Sequence, residues 1–504
     1  MSDSTIHKLF PLEERSPEIR MPLPWARIAS LATSAGKMRM GTIVLCFLTL
    51  PSLVSLLSIY LLNASPHGFV NVEILVIGAA GMFLPRWIVL ALLLLDSLAD
   101  CAYSICYTYQ FSLRDLLESL RFLRALPHGR LIAGSIVLAA AALVGCVLAW
   151  VQPHPRRRLR AACALLATAA ILLPVDILDG QNPLWHQDVS FLSFRLVRSP
   201  LVVLGVREMH AYVTGARSQK SGEGPMNSAS AQLAPLLGGK GAAHPDVVLV
   251  VVESWGLSTD GRVAQALLAP YADSAIRRDY RVTTGTAPFT GLTVPGEARE
   301  LCRSTMGFGI LHASPEMARH CLPDELRAQG YESFAIHGYA GEMFYRAAWY
   351  RQLGFDSAFF GSDLKKMGLA RCRGAFPGIC DGAIANFIGA GLLAPPHAAP
   401  RFVYWVTLNS HLPVPAHPDL PDDHVCDSYP ALRASAALCS WFRLVRAVHQ
   451  SVSRIAAGAR ARPTIFLLVG DHAPPFGDPQ LRSEFSPADV PYVMLAPRSL
   501  VDHR

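Results

Sequence analysis

Two apolar runs of this sequence end in side chains that can bind a metal ion. Residues 246–252 run directly into Glu253, and residues 464–469 are followed, after one glycine, by Asp471 and His472. Continuous apolar runs of this length predict strands that are buried on both faces of a sheet. Because the carboxyl ends of parallel strands meet at one edge, we expect Glu253, Asp471 and His472 to lie together. Carboxylates and imidazole suit zinc or manganese, and the sequence leaves that choice open.

Two further apolar runs also end in polar side chains. Residues 402–407 lead to His411, and residues 331–336 lead to His337. A single histidine after a strand is most often a turn or capping residue. Four such strands together favour a functional site at the carboxyl edge of the sheet.

A metal site of this kind calls for a nucleophile. A divalent metal lowers the pKa of a hydroxyl group enough to make it a nucleophile near neutral pH. Thr293 lies in a turn-rich stretch, residues 290–297, that runs into a predicted helix start, where backbone N–H groups can face a phosphate. Three neighbouring threonines remain rivals: Thr284, Thr286 and Thr290.

These residues belong to one predicted α/β domain, residues 244–504. Short apolar strands alternate there with helix-like segments, which predicts a mainly parallel central sheet. The domain holds six cysteines, at positions 302, 321, 372, 380, 426 and 439. None forms a C-x-x-C pair, so disulfides are favoured over a zinc site. Pairing neighbours along the chain is the simplest of fifteen arrangements, and sequence alone does not fix the pairing.

The first 180 residues predict a membrane domain. The chain of 504 residues is 51% hydrophobic and only 16% charged, and the apolar excess lies in this part. A bilayer core of about 30 Å needs about 20 apolar helical residues. Four segments are long enough: residues 40–62, 86–107, 131–151 and 159–177. Residues 69–84 are shorter, so the count is four or five crossings. Glu73, Asp96 and Asp100 lie inside these segments and are expected to face the interior of the bundle or the membrane interface.

Basic residues indicate the orientation. Residues 1–39 hold six lysines and arginines, and residues 152–160 hold four arginines. Both should be cytoplasmic, and only five crossings place both there. We therefore predict a cytoplasmic arm (1–39), a transmembrane domain (40–178), an interfacial segment with a flexible linker (179–243) and an outer catalytic domain (244–504). Four arginines between positions 114 and 130 then fall outside, in an amphipathic stretch on the membrane surface.

The charge distribution argues against nucleic acid as a partner. The net charge is +7, residues 1–243 hold 21 basic against 14 acidic residues, and residues 244–504 hold 24 of each. A nucleic-acid-binding domain normally has a strong basic excess. The positive charge therefore reflects membrane topology.

The order of motifs resembles the lipoteichoic acid synthase branch of the alkaline phosphatase and sulfatase superfamily. The resemblance runs through Val-Val-Val-Glu253, Gly-Leu-Thr293-Val-Pro-Gly-Glu297, His337-Gly-Tyr-Ala-Gly-Glu-Met-Phe344-Tyr-Arg346, Leu-Asn-Ser-His411 and Gly-Asp471-His472. It covers most of the chain, because five N-terminal spans before an outer domain are similar too. It implies a protein of the bacterial inner membrane with a sulfatase-like domain in the periplasm or extracytoplasmic space.

The resemblance also implies roles for individual residues. One divalent ion, Mn²⁺ or Zn²⁺, would be held by four residues: Glu253, Thr293, Asp471 and His472. Thr293 would take a phospho-group from a phospholipid donor and pass it to an envelope glycan or lipid acceptor, in two displacements at one site. Four residues would contact the phosphate or headgroup: His337, Phe344, Arg346 and His411. Phe344 stands where that branch has a tryptophan.

Several alternatives remain open. The stretch Cys302-Arg303-Ser304-Thr305 lacks the C-x-P-x-R pattern of sulfatases, so sulfate ester hydrolysis is not expected. The six cysteines resemble those of lipid A phosphoethanolamine transferases, which leaves the donor open between phosphatidylglycerol and phosphatidylethanolamine. A metal-dependent phosphodiesterase or phosphatase, or a non-catalytic envelope protein with this fold, are the other candidates. Structural roles are the alternative for His337 as a cap, Arg346 as a partner of Glu342, and His411 as a loop residue.

Overall fold

The fold was analysed in a computed structural model of the chain. It describes residues 39–62, 70–109, 113–151, 153–179, 197–200, 227–237, 244–288, 291–305, 307–421, 424–458 and 460–502. The predicted cytoplasmic arm, apart from Arg39, and most of residues 179–243 lie outside these ranges.

The N-terminal part is helical. Its α-helices are α1 Met40–Leu62, α2 Val72–Gly81, α3 Arg86–Tyr109, α4 Leu113–Ser119, α5 His128–Trp150 and α6 Arg158–Asp179, with 3-10 turns at Leu120–Ala125 and Pro155–Arg157. Within the described residues, three helices are long and apolar enough to cross a membrane: α1, α3 over Arg86–Cys106, and α5. Helix α2 has ten residues and is about 15 Å long, which is half of a bilayer core. The number of crossings stays a prediction.

Helix α2 lies inside the helical bundle. A methyl group on Gly78 would come within 2.5 Å of the Phe47 ring, so α1 and α2 pack in direct contact. Asn71 caps α2 by accepting a hydrogen bond from the Glu73 amide at 2.9 Å, and it donates one to Asp96 at 2.7 Å. Asp96 is fully buried, as expected for a carboxylate inside the bundle.

The second part of the chain is built on a seven-stranded sheet. Its strands are β1 Asp246–Val252, β2 Tyr280–Pro288, β3 Glu332–His337, β4 Ser357–Phe359, β5 Arg401–Val406, β6 Thr464–Gly470 and β7 Asp489–Pro497. They lie in the order β2-β7-β6-β1-β5-β3-β4, and all neighbours are parallel except at β7, which is antiparallel to both β6 and β2. The predicted, mainly parallel sheet is confirmed.

Helices cover both faces of this sheet. They are α7 Ala234–Leu237, α8 Gly261–Leu268, α9 Ser274–Asp279, α10 Thr293–Cys302, α11 Pro315–Ala318, α12 Leu322–Arg327, α13 Arg346–Gln352, α14 Gly361–Lys366, α15 Asp381–Asn386, α16 Pro430–Ala434, α17 Ala436–Ala457, α18 Pro479–Ser483 and α19 Arg498–Val501. Every residue of β1 and of β6 is buried. Alternate residues of β1 pack into two separate hydrophobic cores, one on each face of the sheet. A strand that is buried on both faces needs apolar residues throughout, which explains the continuous apolar run.

Residues 227–237, which fall within the predicted flexible linker, are packed against the α/β domain. Ala229, Ser230 and Leu233 are buried. The Ser230 amide donates a hydrogen bond to the Glu300 carboxylate at 2.8 Å, and the Ser230 hydroxyl donates one to the Glu300 carbonyl at 2.7 Å. This part of the segment is therefore an anchor on α10 rather than a flexible linker.

Three disulfides close short loops of the domain. They join Cys302 to Cys321, Cys372 to Cys380 and Cys426 to Cys439. This is the arrangement that pairs neighbours along the chain, and it agrees with the predicted outer location of the domain.

Candidate metal and phosphate site

The carboxyl ends of β1 and β6 bring three titratable side chains together. The two strands are adjacent and parallel, and Val252 lies opposite Gly470. The next residues, Glu253 and Asp471, therefore leave the sheet side by side, and His472 follows. One ligand atom from each of the three residues lies within 4.8 Å of the others.

The distances within this group are short. His472 Nε2 lies 3.3 Å from Glu253 Oε1 and 3.3 Å from Asp471 Oδ2. The Thr293 hydroxyl donates a hydrogen bond to Glu253 Oε2 at 3.1 Å. All four side chains are buried. The structure thus brings the side chains of the four predicted metal ligands close together.

The position of Thr293 also distinguishes it from its rivals. Thr293 is the first residue of α10, and Gly291 just before it has φ +99°, which turns the chain into the helix. Thr284 and Thr286 lie exposed on the edge strand β2, and Thr290 lies outside the described residues. Among the described threonines in question, Thr293 is the one that contacts Glu253.

Ser254 orients two of the acidic groups. Its amide donates a hydrogen bond to Asp471 Oδ1 at 2.7 Å, and its hydroxyl donates one to Glu253 Oε1 at 2.9 Å. It does so in the left-handed region, at φ +55°, which is strained for a residue with a side chain. Sequence reasoning missed Ser254, although its place directly after Glu253 was a signal.

The backbone of Glu253 is also fixed from the neighbouring strand. The Glu253 amide donates to the Thr407 hydroxyl at 2.9 Å, and the Ser410 hydroxyl donates to the Glu253 carbonyl at 2.6 Å. Both residues belong to the chain that follows β5. They tie this loop to the group formed by Glu253, Asp471 and His472.

The electrostatics of the group are those of a site that attracts cations. Burial alone would lower the pKa of His472, but the carboxylates of Asp471 and Glu253 outweigh it and raise that pKa to about 9. Burial also opposes ionisation of Glu253, yet His411, His472 and the Ser254 hydroxyl hold its pKa below the usual range. Burial, reinforced by the Glu253 charge, raises the pKa of Asp471 to about 7.

The donor set fits a divalent metal ion. Asp471 Oδ2 is buried and accepts no hydrogen bond among the described residues. Its positive neighbour in the structure is the His472 ring, with Nε2 at 3.3 Å, and a metal ion bound by both residues would take over that pairing. Two carboxylates, one imidazole and one hydroxyl are ligands that zinc and manganese accept.

Arg346 lies behind this group in a buried network around Glu297. Its Nε and Nη2 donate to Glu297 Oε1 at 2.9 and 2.7 Å. The hydroxyls of Tyr350 and Tyr404 donate to Glu297 Oε2 at 2.6 and 3.1 Å. Glu297 stands one turn after Thr293 on α10, so this network fixes the helix and Arg346 relative to each other. The alternative pairing of Arg346 with Glu342 is not what the structure shows.

His337 ends β3, and His411 lies in the loop that follows β5, the strand between β1 and β3. His337 is the last residue of β3, and its Nδ1 donates to the Val406 carbonyl at 3.1 Å. Burial, reinforced by the charge of Arg346, lowers its pKa to about 3. His411 Nδ1 donates to the Leu412 carbonyl at 2.7 Å, and burial lowers its pKa to about 4 despite the Glu253 charge. Both rings are therefore neutral at pH 7.

Asp381 holds the loop that carries His411. Its carboxylate accepts hydrogen bonds from the amides of Leu408 at 3.0 Å and Asn409 at 2.8 Å, and the Asn409 side chain accepts one from the Asp381 amide at 2.8 Å. Burial raises the pKa of Asp381 to about 7. Nothing in the local sequence indicated this contact, because it joins the start of α15 to a distant loop.

Phe344 lies beside Arg346 in an unusual turn. Phe344 and Tyr345 have φ values of 53° and 51°, in the left-handed region. The guanidinium carbon of Arg346 lies 5.3 Å from the centre of the Phe344 ring. The predicted headgroup residue thus packs against the predicted phosphate-binding residue.

Comparison with known proteins gives a family and several solved structures. The sulfatase family model matches residues 245–502, just over half of the chain. No curated protein sequence matches the chain.

The solved structures are similar at low identity. A protein of the alkaline phosphatase superfamily from Vibrio parahaemolyticus is 17% identical, with 51% of this chain and 61% of that chain covered and a TM-score of 0.37. The phosphoglycerol transferase GacH from Streptococcus pyogenes is 19% identical, with 54% and 77% covered and a TM-score of 0.37. The lipooligosaccharide phosphoethanolamine transferase A from Neisseria meningitidis is 14% identical, with 84% and 79% covered and a TM-score of 0.47.

Proposed function

The chain belongs to the sulfatase family, and we propose that it is a membrane-anchored, metal-dependent transferase. It moves a phosphoglycerol or phosphoethanolamine group from a phospholipid to an envelope glycan or lipid. The observation that carries this proposal is the hydrogen bond of 3.1 Å from the Thr293 hydroxyl to Glu253, within a buried Glu-Asp-His group. A hydroxyl held in this way is placed to act as a nucleophile.

The reaction has two displacements at Thr293. In the first, Thr293 Oγ1 loses its proton and forms a bond to phosphorus, the bond from phosphorus to the diacylglycerol oxygen breaks, and that oxygen takes up a proton. In the second, an acceptor hydroxyl attacks phosphorus, loses its proton, and the threonine oxygen leaves and is reprotonated. Glu253 and Thr293, with Asp471 and His472, would hold a manganese or zinc ion, which lowers the pKa of the attacking hydroxyl.

The remaining site residues are proposed to contact the phosphate and the headgroup of the donor. Arg346 is positively charged and fixed by Glu297, so it supplies a preorganised charge for the phosphate. His337 and His411 hydrogen-bond backbone carbonyls through Nδ1 and are neutral, which makes Nε2 the proton acceptor of each ring. Phe344 borders the headgroup.

A lipid donor accounts for the membrane part. Three helices of the described chain have the length and apolar composition of membrane spans. We propose five crossings, which place the arginine-rich loop at residues 156–160 in the cytoplasm and the catalytic domain in the periplasm. The disulfides agree with an oxidising compartment.

Intact-mass analysis tests the proposal. The full-length protein is purified in detergent, loaded with manganese or zinc, and incubated with phosphatidylglycerol or phosphatidylethanolamine. We expect a phosphoglycerol or phosphoethanolamine adduct on the wild type and none on Thr293→Ala. Thr293→Ser keeps a hydroxyl at the same position and should retain the adduct.

The other outcomes identify other functions. Lipid that is consumed without any adduct or acceptor product would indicate a phosphodiesterase that transfers to water. A metal-loaded protein that consumes neither lipid would exclude transferase activity and favour a non-catalytic protein.

A further inference from the structure

The segment between α3 and α5 lies against the catalytic domain. Phe122, in the 3-10 turn Leu120–Ala125, is 3% exposed, and its ring centre lies 5.2 Å from Phe344 and 4.6 Å from Tyr345. The Tyr339 hydroxyl donates a hydrogen bond to the Ala125 carbonyl at 2.6 Å. One face of the predicted membrane-surface stretch is therefore packed on loops that carry candidate substrate residues.

Arg130, at the start of α5, contacts the loop of His411. Its Nη2 donates to the Leu412 carbonyl at 3.0 Å, and His411 Nδ1 donates to the same carbonyl at 2.7 Å. Its guanidinium carbon lies 5.1 Å from the centre of the Phe376 ring, which in turn packs 4.6 Å from the His411 ring. Arg130 and His411 thus share one carbonyl and one aromatic ring.

Phe122 supports the turn that precedes Arg346. Two consecutive residues in the left-handed region, Phe344 and Tyr345, are held only where their surroundings fix them. Phe122 contacts both rings, and the Trp349 indole donates to the Phe344 carbonyl at 2.9 Å from the other side. Phe308 also packs against the Phe344 ring, with 5.8 Å between the ring centres. Removing Phe122 would therefore take away the aromatic contact of Tyr345 and one of the two aromatic contacts of Phe344.

The exposed side of the segment combines leucines with Arg121 and Arg124. Leu117, Leu120 and Leu123 are 57%, 49% and 44% exposed. The segment therefore has one side on the catalytic loops and another that suits a bilayer surface.

We propose that residues 113–130 complete the catalytic site, with Arg130 as the positioning residue for His411 and Phe122 as the support of the Phe344–Tyr345 turn. This inference rests on the proposed transferase function and deepens it. The headgroup of a phospholipid stays at the bilayer surface. A catalytic site that needs residues 113–130, which lie next to the membrane, is therefore formed at the same surface as its phospholipid donor.

Hydrogen exchange of the full-length protein in detergent tests the contact of Arg130 without any need for activity. The variants are Arg130→Ala, Arg130→Lys and, as a matched control, Arg124→Ala, which removes an exposed arginine of the same segment. We expect amide exchange in residues 408–412 to rise about tenfold in Arg130→Ala, because a charged hydrogen bond to the loop is lost. Arg124→Ala should match the wild type, and equal exchange in the two alanine variants would overturn the proposal.

Turnover of a soluble phosphodiester, bis-p-nitrophenyl phosphate, tests the positioning role. We expect kcat of Arg130→Ala to fall about tenfold with KM within about twofold, and Arg130→Lys to recover most of it, because an ammonium group can also donate to the Leu412 carbonyl. A kcat loss that lysine does not recover would contradict a positioning role. If the wild type transfers nothing from lipid, the proposed function fails, whereas the exchange result still decides whether Arg130 holds the His411 loop.

Discussion

Gly296 in α10 packs directly against Asp471 at the end of β6. A Cβ atom at position 296 would lie 3.0 Å from the Cα, the Cβ and the carbonyl oxygen of Asp471. Gly296 stands three residues after Thr293, on the same side of the helix. The missing side chain at position 296 therefore lets the first turn of α10 approach closely enough for Thr293 to reach Glu253.

Gly296→Ala should weaken both metal binding and turnover. The added methyl group must push α10 away from Asp471. A misplacement of about 1 Å can cost about a hundredfold in rate, so we expect the smaller shift here to cost about tenfold. Calorimetric titration with manganese or zinc, together with phosphodiester turnover, measures both effects. Gly261→Ala is the control, because a methyl group there meets no atom within 4 Å. Equal behaviour of the two variants would show that the close contact does not matter.

Ser254→Ala should lower metal affinity about tenfold while the fold persists. The lost hydroxyl orients Glu253, and residues that orient metal ligands typically contribute that much to affinity. Ser254→Gly removes the same hydroxyl but suits φ +55° better. We therefore expect glycine and alanine variants to bind metal equally weakly, with the glycine variant melting at the higher temperature. Wild-type affinity in either variant would rule out this role for the hydroxyl.

Glu297→Gln should reduce turnover through Arg346. The substitution keeps the shape of the side chain but leaves a buried guanidinium without its carboxylate, which costs about 3–5 kcal/mol of stability. Glu300→Gln is the matched control, because Glu300 pairs with Arg299 in an equally buried contact that does not involve Arg346 and that fixes the Gly470 and Asp471 carbonyls instead. The melting temperature should fall in both variants. A loss of kcat beyond that of the control is expected only for Glu297→Gln, and similar kcat values would contradict the role of Arg346.

His449 should make the stability of the catalytic domain sensitive to acid. Its Nδ1 lies 3.0 Å from the Tyr271 hydroxyl, its ring packs 4.4 Å from Trp255, and burial lowers its pKa to about 3. The ordinary pKa of histidine is about 6.5. Below that pH, His449 is protonated in the unfolded chain but stays neutral in the folded chain. Stability is therefore lost as pH falls from 6.5 toward 3, by about 1.4 kcal/mol per unit.

His449→Gln tests this assignment, because glutamine does not titrate. Melting temperatures between pH 7 and pH 5 should fall less steeply for the variant than for the wild type. Parallel curves would show that other groups cause the acid sensitivity.

Part of the site could be predicted from the sequence because strand burial and direction leave a local pattern. The continuous apolar runs before Glu253 and before Asp471 specified strands buried on both faces, and parallel neighbours then place their ends together. The disulfides were foreseen as a class, whereas their pairing depended on which cysteines the fold brings together. The sequence also indicated that the segment of α2 is shorter than the other spans, but the packing of residues 227–237 on α10 was not foreseen, because composition does not reveal what a polar segment contacts.

By itself, the sequence determined the helical N-terminal part, the mainly parallel sheet and the meeting of Glu253, Asp471 and His472 at its carboxyl edge. Tertiary structure alone decided the partners of the surrounding charges. Arg346 binds Glu297, 49 residues away, rather than Glu342, because α13 begins only at Arg346 and the left-handed Phe344 and Tyr345 break the helical spacing to Glu342. Arg130 reaches the loop of His411 across 282 residues of sequence. Periodicity encodes which face of an element is buried, but contacts of this kind depend on how separate elements pack, and no local pattern records them.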